Sequence, residues 1–348
     1  MPAPASSPAQ LYVGVDIAAA SFAASWVRPG GQPTAARTFP QTPAGFAAFQ
    51  ELLEATGVAP AAILVVLEAT GSYWAALAVS LHQARFRVAI ANPAQVHNYA
   101  KSLPRRSKTD ALDAQLLAQY ALERQPAAWT PPPMVYHELR QRLVARDGLL
   151  EMRQQARNQL HALQQWPVQV AAVQEQLAEV IASLDAQLQR LEEAIAVVLA
   201  DGAWAASAEL LQGIAGIGQL TAAWILVATV NFTTCASPEA ASQYAGLAPL
   251  DRVSGTSVRG RPSIGQAGHH RLRTALYMAT LSAAQHNPII KSFYDRLRAA
   301  GKPVKVARCA AARKLLHLAF AVVTKGQPIN PSFKPVASTV SDSTNIGA

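Results

Sequence analysis

Cysteine is almost absent from this chain of 348 residues: Cys235 and Cys309 are its whole complement. Two thiols so placed make neither a disulfide framework nor a zinc motif, and they fit a reducing compartment. Acidic residues are also scarce. Twenty-one Asp and Glu stand against thirty Lys and Arg, for a net charge of +9, and the isoelectric point is near 9.8. That balance favours a polyanionic partner over a cationic one. Met1 to Gln10 has no basic n-region and no apolar h-region, so no signal peptide is expected. Long unbroken apolar runs are missing too. Hydrophobic residues make up 51% of the chain, but the best candidate span, Val304 to Val323, is interrupted by Lys305, Arg308, Arg313, Lys314 and His317. It is a poor membrane span and a better buried or amphipathic helix.

What is present changes character along the chain. Residues 11 to about 125 alternate between strand-like runs (11–16, 21–27, 63–67, 86–91) and helix-like runs (44–55, 73–84, 93–102, 109–122). Early hairpin strands followed by strand–helix units predict a mixed sheet covered by helices. Pro131-Pro132-Pro133 marks a boundary. Residues 134 to 200 are rich in Gln, Glu, Leu, Arg and Ala. Leu177, Ile181, Leu184, Leu188, Leu191, Ile195 and Val198 recur at three- and four-residue steps, the seam of a long amphipathic helix. With the helix before Trp166-Pro167 it predicts a helical hairpin or coiled coil, which serves packing within one subunit or an interface between copies. Residues 207 to 327 predict a third, mostly helical unit. Between Arg252 and Lys325 there are 14 Lys or Arg and a single acidic residue, Asp295. The expected divisions are a disordered 1–10, domains at 11–130, 134–202 and 203–328, and a disordered tail at 329–348.

Four acids stand out against this basic background. Asp16 ends the apolar run Leu11 to Val15, and Glu68 ends Ile63 to Leu67. Asp110 and Asp113 fall in Lys108-Thr109-Asp110-Ala111-Leu112-Asp113-Ala114, which reads as the first turn of a helix with both carboxylates on one face. Each acid alone has an ordinary explanation as a turn, cap or helix-dipole residue. Together, two strand-end acids and a pair one helical turn apart predict four carboxylates at one sheet edge. Such a cluster repels itself unless cations intervene, and its hard oxygen donors suit Mg²⁺, with Mn²⁺ able to substitute.

Three further features bear on nucleic acid. Lys101, Arg105, Arg106 and Lys108 precede the Asp pair, where they hold a phosphate backbone or form a solvated loop. Gly213 to Gly218, followed by Gln219-Leu220-Thr221, resembles the turn of a helix-hairpin-helix module, in which freed N–H groups meet phosphates; a plain turn between helices reads the same way. The segment 254–268 predicts a polar Gly/Ser/Arg loop. By composition it reads first as a flexible, solvated surface loop; Ser254 or Ser257 is alternatively a candidate nucleophile on phosphorus, with Arg259 and Arg261 close in sequence to neutralise charge. Arg271 and Arg273 extend this basic set.

The order of segments is specific. Tyr12-Val13-Gly14-Val15-Asp16, Leu67-Glu68-Ala69-Thr70-Gly71, Asn92-Pro93, the Asp110/Asp113 segment, Gly213 to Gly218, Tyr244-Ala245-Gly246-Leu247-Ala248-Pro249 and Ser254-Gly255-Thr256-Ser257 follow one another in a pattern. That pattern resembles the insertion-sequence-one-ten family of DEDD transposases, related to the Piv DNA invertases, over residues 11 to 327. The resemblance implies a RuvC-like, RNase H-fold domain, a coiled-coil insertion and a mostly helical C-terminal transposase domain. It implies that Asp16, Glu68, Asp110 and Asp113 hold the metal and that Ser254 is the nucleophile forming a phosphoserine link to DNA. It also implies DNA partners (target and donor), a structured bridge RNA encoded by the element, assembly as a dimer or tetramer, and a cytoplasmic, nucleoid-associated bacterial protein. Ile264-Gly265-Gln266 departs from the family, whose members often carry a Ser-Lys pair there. The rival readings are a RuvC-like junction nuclease using metal-activated water, which needs no serine, and a non-catalytic nucleic-acid-binding protein.

Overall fold

The structure is a computed structural model that describes residues 8–69, 71–103, 109–254, 258–265 and 267–329, with the main chain alone at 250–254 and 258–263. Two compact units divide it, Met1–Pro131 and Pro132–Ala348. The junction falls within the proline triplet, where ring-locked φ angles and missing donors oppose a continuous helix or strand.

The first unit is a five-stranded sheet with helices on both faces. Three strands come first: β1 (Leu11–Ile17), β2 (Ser21–Val27) and β3 (Arg37–Pro40). Then follow α1 (Pro43–Glu54), β4 (Ile63–Glu68), α2 (Trp74–Gln83), β5 (Arg87–Ala91), α3 (Pro93–Lys101) and α4 (Asp110–Arg124). The strand order is β3-β2-β1-β4-β5, antiparallel on the β3 side of β1 and parallel on the other. Strand parity assigns the two faces. Leu11, Val13, Val15, Ile63, Val65 and Leu67 pack with Phe46, Phe49, Leu53, Leu77 and Leu81 of α1 and α2. Tyr12, Leu64 and Val66 point the other way, onto Val96, Tyr99, Leu116, Leu117, Ala118 and Ala121 of α3 and α4. This mixed α/β architecture is the expected one. Strand β3 was not expected. It is a short, polar edge strand, and edges carry little hydrophobic signal. Within the segment expected to be disordered, residues 9 and 10 belong to the fold: Ala9 is buried and the Gln10 amide donates to the Ala62 carbonyl at 2.8 Å. The anticipated tail at 330–348 lies outside the described residues.

The second unit opens with a helical hairpin, α5 (Met134–Leu163) and α6 (Ala171–Asp201). Its helices are joined by Arg146–Glu192 at 2.6 Å and by Arg153 and Arg157 on Asp185. Next come α7 (Ala205–Gln212), α8 (Gln219–Thr229) and α9 (Pro238–Tyr244). A two-stranded antiparallel hairpin follows, β6 (Pro249–Ser254) and β7 (Val258–Ile264), and then α10 (His270–His286), α11 (Pro288–Ala299) and α12 (Val304–Lys325). One apolar core runs from Val135 and Leu139 through α8 to Leu315 and Val322. Among the described residues no single helix is long and apolar enough to cross a membrane.

Candidate active site

The four acids arrive from three elements. Strand parity puts Asp16, like Tyr12 and Gly14, on the α4 side of β1, and puts Glu68, like Leu64 and Val66, on the same side of β4. The strands are parallel neighbours with Val15 opposite Leu67, so both acids leave the sheet at the same end. Asp110 and Asp113 occupy the first turn of α4, which Thr109 caps by accepting from the Leu112 amide. A first turn also favours negative charge through the helix dipole.

Gly14 fixes how closely α4 approaches. A Cβ at this position would fall inside the main chain of Ala114 and Ala118. The helix therefore rests backbone on backbone against β1, one turn beyond its acidic pair. A second tie comes from the Gln115 side-chain amide, which donates to the Thr34 carbonyl at 3.0 Å. Sequence reading missed this seat. Its signal was a glycine inside an apolar strand, matched by alanines four apart on a helix.

The resulting field is felt at Asp16. Its pKa is raised from 3.8 to about 6, by burial first and then by the charges of Asp113, Asp110 and Glu68, against one opposing hydrogen bond from the Ile17 backbone. Each of the other three acids thus stands near enough to act on it. Among the described residues no three His, Cys, Asp or Glu side chains converge tightly enough to grip one ion. Unneutralised carboxylates repel one another, and these share a field without sharing a point. The donor set, all hard oxygen, with excess negative charge at a half-buried member, fits a divalent ion of the Mg²⁺ class.

Of the basic residues preceding the pair, Lys101 ends α3 in an exposed position. Arg105, Arg106 and Lys108 lie outside the described residues. Asn92 caps α3, accepting from the Ala94 amide at 2.9 Å.

In the second unit the expected loop at 254–268 is largely the β6–β7 hairpin. Ser254 is the last residue of β6, in register with Val258; Ser257 lies outside the described residues. Arg259 and Arg261 lie on β7. The Gly, Ser, Pro and Arg content suggested a loop because cross-strand pairing leaves no trace in composition. The base of the hairpin is tied by the His269 amide, which donates to the Tyr244 carbonyl at 2.8 Å, and by a close backbone contact between Gly246 and Gly268. Arg273 donates to the Ala267 carbonyl at 3.0 Å and lies over Gly246. Arg271 is engaged with Asp147 at 3.1 Å and Glu151 at 2.9 Å on α5. Both arginines thus have intramolecular partners. Gly213 to Gly218 joins α7 to α8. Gly216, at φ +101°, packs on Ala283 of α10, and Asn287 donates to the Ala215 carbonyl at 3.2 Å, while Gly218 caps α8 in open space.

Comparison with known proteins extends this picture. Residues 13–165 match a transposase family of the DEDD IS110 type, and residues 208–295 match the transposase IS116/IS110/IS902 family. The pilin gene-inverting protein of Moraxella bovis is 30% identical over 332 residues, spanning 92% of this chain and 98% of that protein. Its counterpart in Moraxella lacunata matches to the same extent. An uncharacterised 43.6 kDa protein of the insertion element IS110 in Streptomyces coelicolor is 32% identical over 117 residues, covering 34% of this chain and 29% of that protein.

Proposed function

The chain belongs to the IS110 family of transposases, and from that premise we propose that it cuts and rejoins DNA through a covalent link to Ser254. Asp16, Glu68, Asp110 and Asp113 would hold Mg²⁺, with Mn²⁺ able to replace it, and sequence choice would come from a structured RNA encoded by the element. The observation that carries this reading is the delivery of four carboxylates from β1, β4 and α4 to one end and one face of the sheet, with Asp16 raised to about 6 by the others and by burial. The mixed sheet, antiparallel on one side of β1 and parallel on the other, supports a RuvC-like RNase H fold.

An ion held by these acids would supply charge neutralisation at the scissile phosphate. The residues of the chain do the rest. The four acids fix where that charge sits. Ser254 loses its proton as its Oγ–P bond forms and the P–O bond to the departing deoxyribose oxygen breaks, that oxygen taking up a proton. The phosphodiester is kept as a phosphoserine ester. A sugar hydroxyl of another strand then attacks it, regenerating the serine, and no nucleotide triphosphate is needed. The basic surface holds the backbone, a role for which Lys101, Arg105, Arg106, Lys108, Arg259 and Arg261 are proposed. Inversion of DNA, as in the name of the Moraxella proteins, is one outcome of such strand exchange. Since two duplexes must be held at once, the protein would work as a dimer or tetramer.

The test is Ser254→Ala. It should abolish the protein–DNA adduct, a slow band on a denaturing gel, while nucleic-acid binding persists. Transfer of that loss to Ser257→Ala alone would move the nucleophile three residues on. An adduct that survives both changes would sink the serine assignment in favour of another side-chain nucleophile, and free ends released without any adduct would favour the metal-water nuclease.

A further inference from the structure

A groove of about 730 Å³ opens at the foot of the β6–β7 hairpin, lined by that foot and by α11 and α12. Its size suits a small-molecule-sized group. The floor is apolar, with Leu247, Ile264, Phe293, Val306 and Ala310. Among the described residues every charged side chain lining it is basic: Lys302, Lys305, Arg313 and Lys314. Glu239 on α9 acts on His317 and Arg313 without lining the groove. Phe293 is partly buried against the core, and two cations lie over its ring, Lys314 at 5.1 Å and Arg296 at 5.4 Å from the centroid. His317 closes the inner end, its Nε2 2.9 Å from Ser242 Oγ.

An aromatic surface ringed by cations is the chemistry that takes an unstacked base and its phosphates. Pro249 and Ile264, paired across the hairpin, form one wall. Ser254 lies five residues further along β6, roughly 17 Å at strand rise. A stacked strand covers that distance in about five nucleotides. We propose that the groove seats one unstacked nucleotide of the DNA strand that Ser254 attacks, with the base on Phe293 and the phosphates on Lys302, Lys305, Arg313 and Lys314. This proposal rests on the reading of Ser254 as nucleophile. It adds a specificity pocket for the strand approaching that residue, committed to DNA by its place on the serine hairpin.

Cys309 lines the groove, whereas Cys235, the other thiol, is buried in the core. The experiment follows alkylation of Cys309 by N-ethylmaleimide in the full-length protein, read peptide by peptide by mass spectrometry, with Cys235 as the internal control. A short oligothymidylate should slow Cys309 alkylation about tenfold, the order expected for one stacked base. An abasic strand of equal length or an oligouridylate should protect much less. Phe293→Ala should remove the protection. So should Lys305→Glu, which changes an exposed residue and spares the fold. Ser254→Ala should keep it, which separates this proposal from the serine mechanism. Unchanged alkylation in the presence of bound oligothymidylate overturns the groove even where the covalent adduct still forms. Equal protection by the abasic strand overturns the base seat, and equal protection by oligouridylate overturns the assignment to DNA.

Discussion

Asp16 is a half-buried carboxylate pressed by three other acids, and its proton equilibrium has a measurable consequence. An unfolded chain leaves it near 3.8, whereas the folded protein without metal holds it at about 6. The folded state binds that proton more tightly, so the associated stability is fully present below about pH 4 and is lost as pH rises through 6. Asp16→Asn is uncharged throughout. With chelator present it should stabilise the protein near pH 7 by about 1–2 kcal/mol, less than full linkage would give because the group is partly solvent-screened. That gain should fade towards pH 4. Denaturant titrations of both proteins across this range provide the check, and no difference near pH 7 would mean the acids are not crowded. The same variant should lose strand cleavage, which sets stability against activity at one position. The acids were legible in the sequence because each ends an apolar run or opens a helix, and such ends are where local pattern and sheet geometry coincide. Their repulsion was expected too, but that Asp16 takes the strain was not, since its burial depends on the β1–β4 pairing and on the seating of α4.

At the scale of elements, α4 and the α5–α6 hairpin show two different ways of placing a helix. α4 is seated by the absence of a side chain at Gly14. Gly14→Ala should push the helix from β1 and cost about 2–3 kcal/mol, as overpacking does. Thermal melts measure the loss, and cleavage should fall more than nucleic-acid binding. A variant as stable and active as the parent would show that the seat is not needed. The hairpin is instead held by an apolar seam and ion pairs. Leu188, Ile195 and Leu199 are buried, but towards the turn the apolar residues lie open, with Trp166 66% and Val168 79% exposed. Changing both to serine should lower self-association in light scattering with helix content unchanged. An unaltered association state would remove the tip from any interface. Periodicity made the long helices readable. It was silent on β3 and on β6–β7, where four- to seven-residue strands carry Arg, Pro, Gly and Ser, and only partner strands define them.

For the whole molecule, a charge of +9 and a local knot of acids separate holding from cutting. Raising salt should weaken nucleic-acid binding steeply, with a log–log slope near −0.9 per phosphate neutralised on duplex DNA. A chelator should leave binding in place and stop cleavage. Filter binding and cleavage assays run on the same samples test both halves, and cleavage unaffected by chelation would rule out a metal role for the acids. The division of the chain within its proline triplet carries one more implication, for the order of synthesis. All four acids belong to the unit that ends at Pro131, and Ser254 belongs to the next. A ribosome adding about 5–20 residues per second needs roughly 6–25 s to travel from one to the other. During that interval the nascent chain can complete its acidic cluster before Ser254, the proposed nucleophile, has been made. On the proposed mechanism, a chain abandoned midway would carry the metal-holding acids and lack the serine that joins it to DNA.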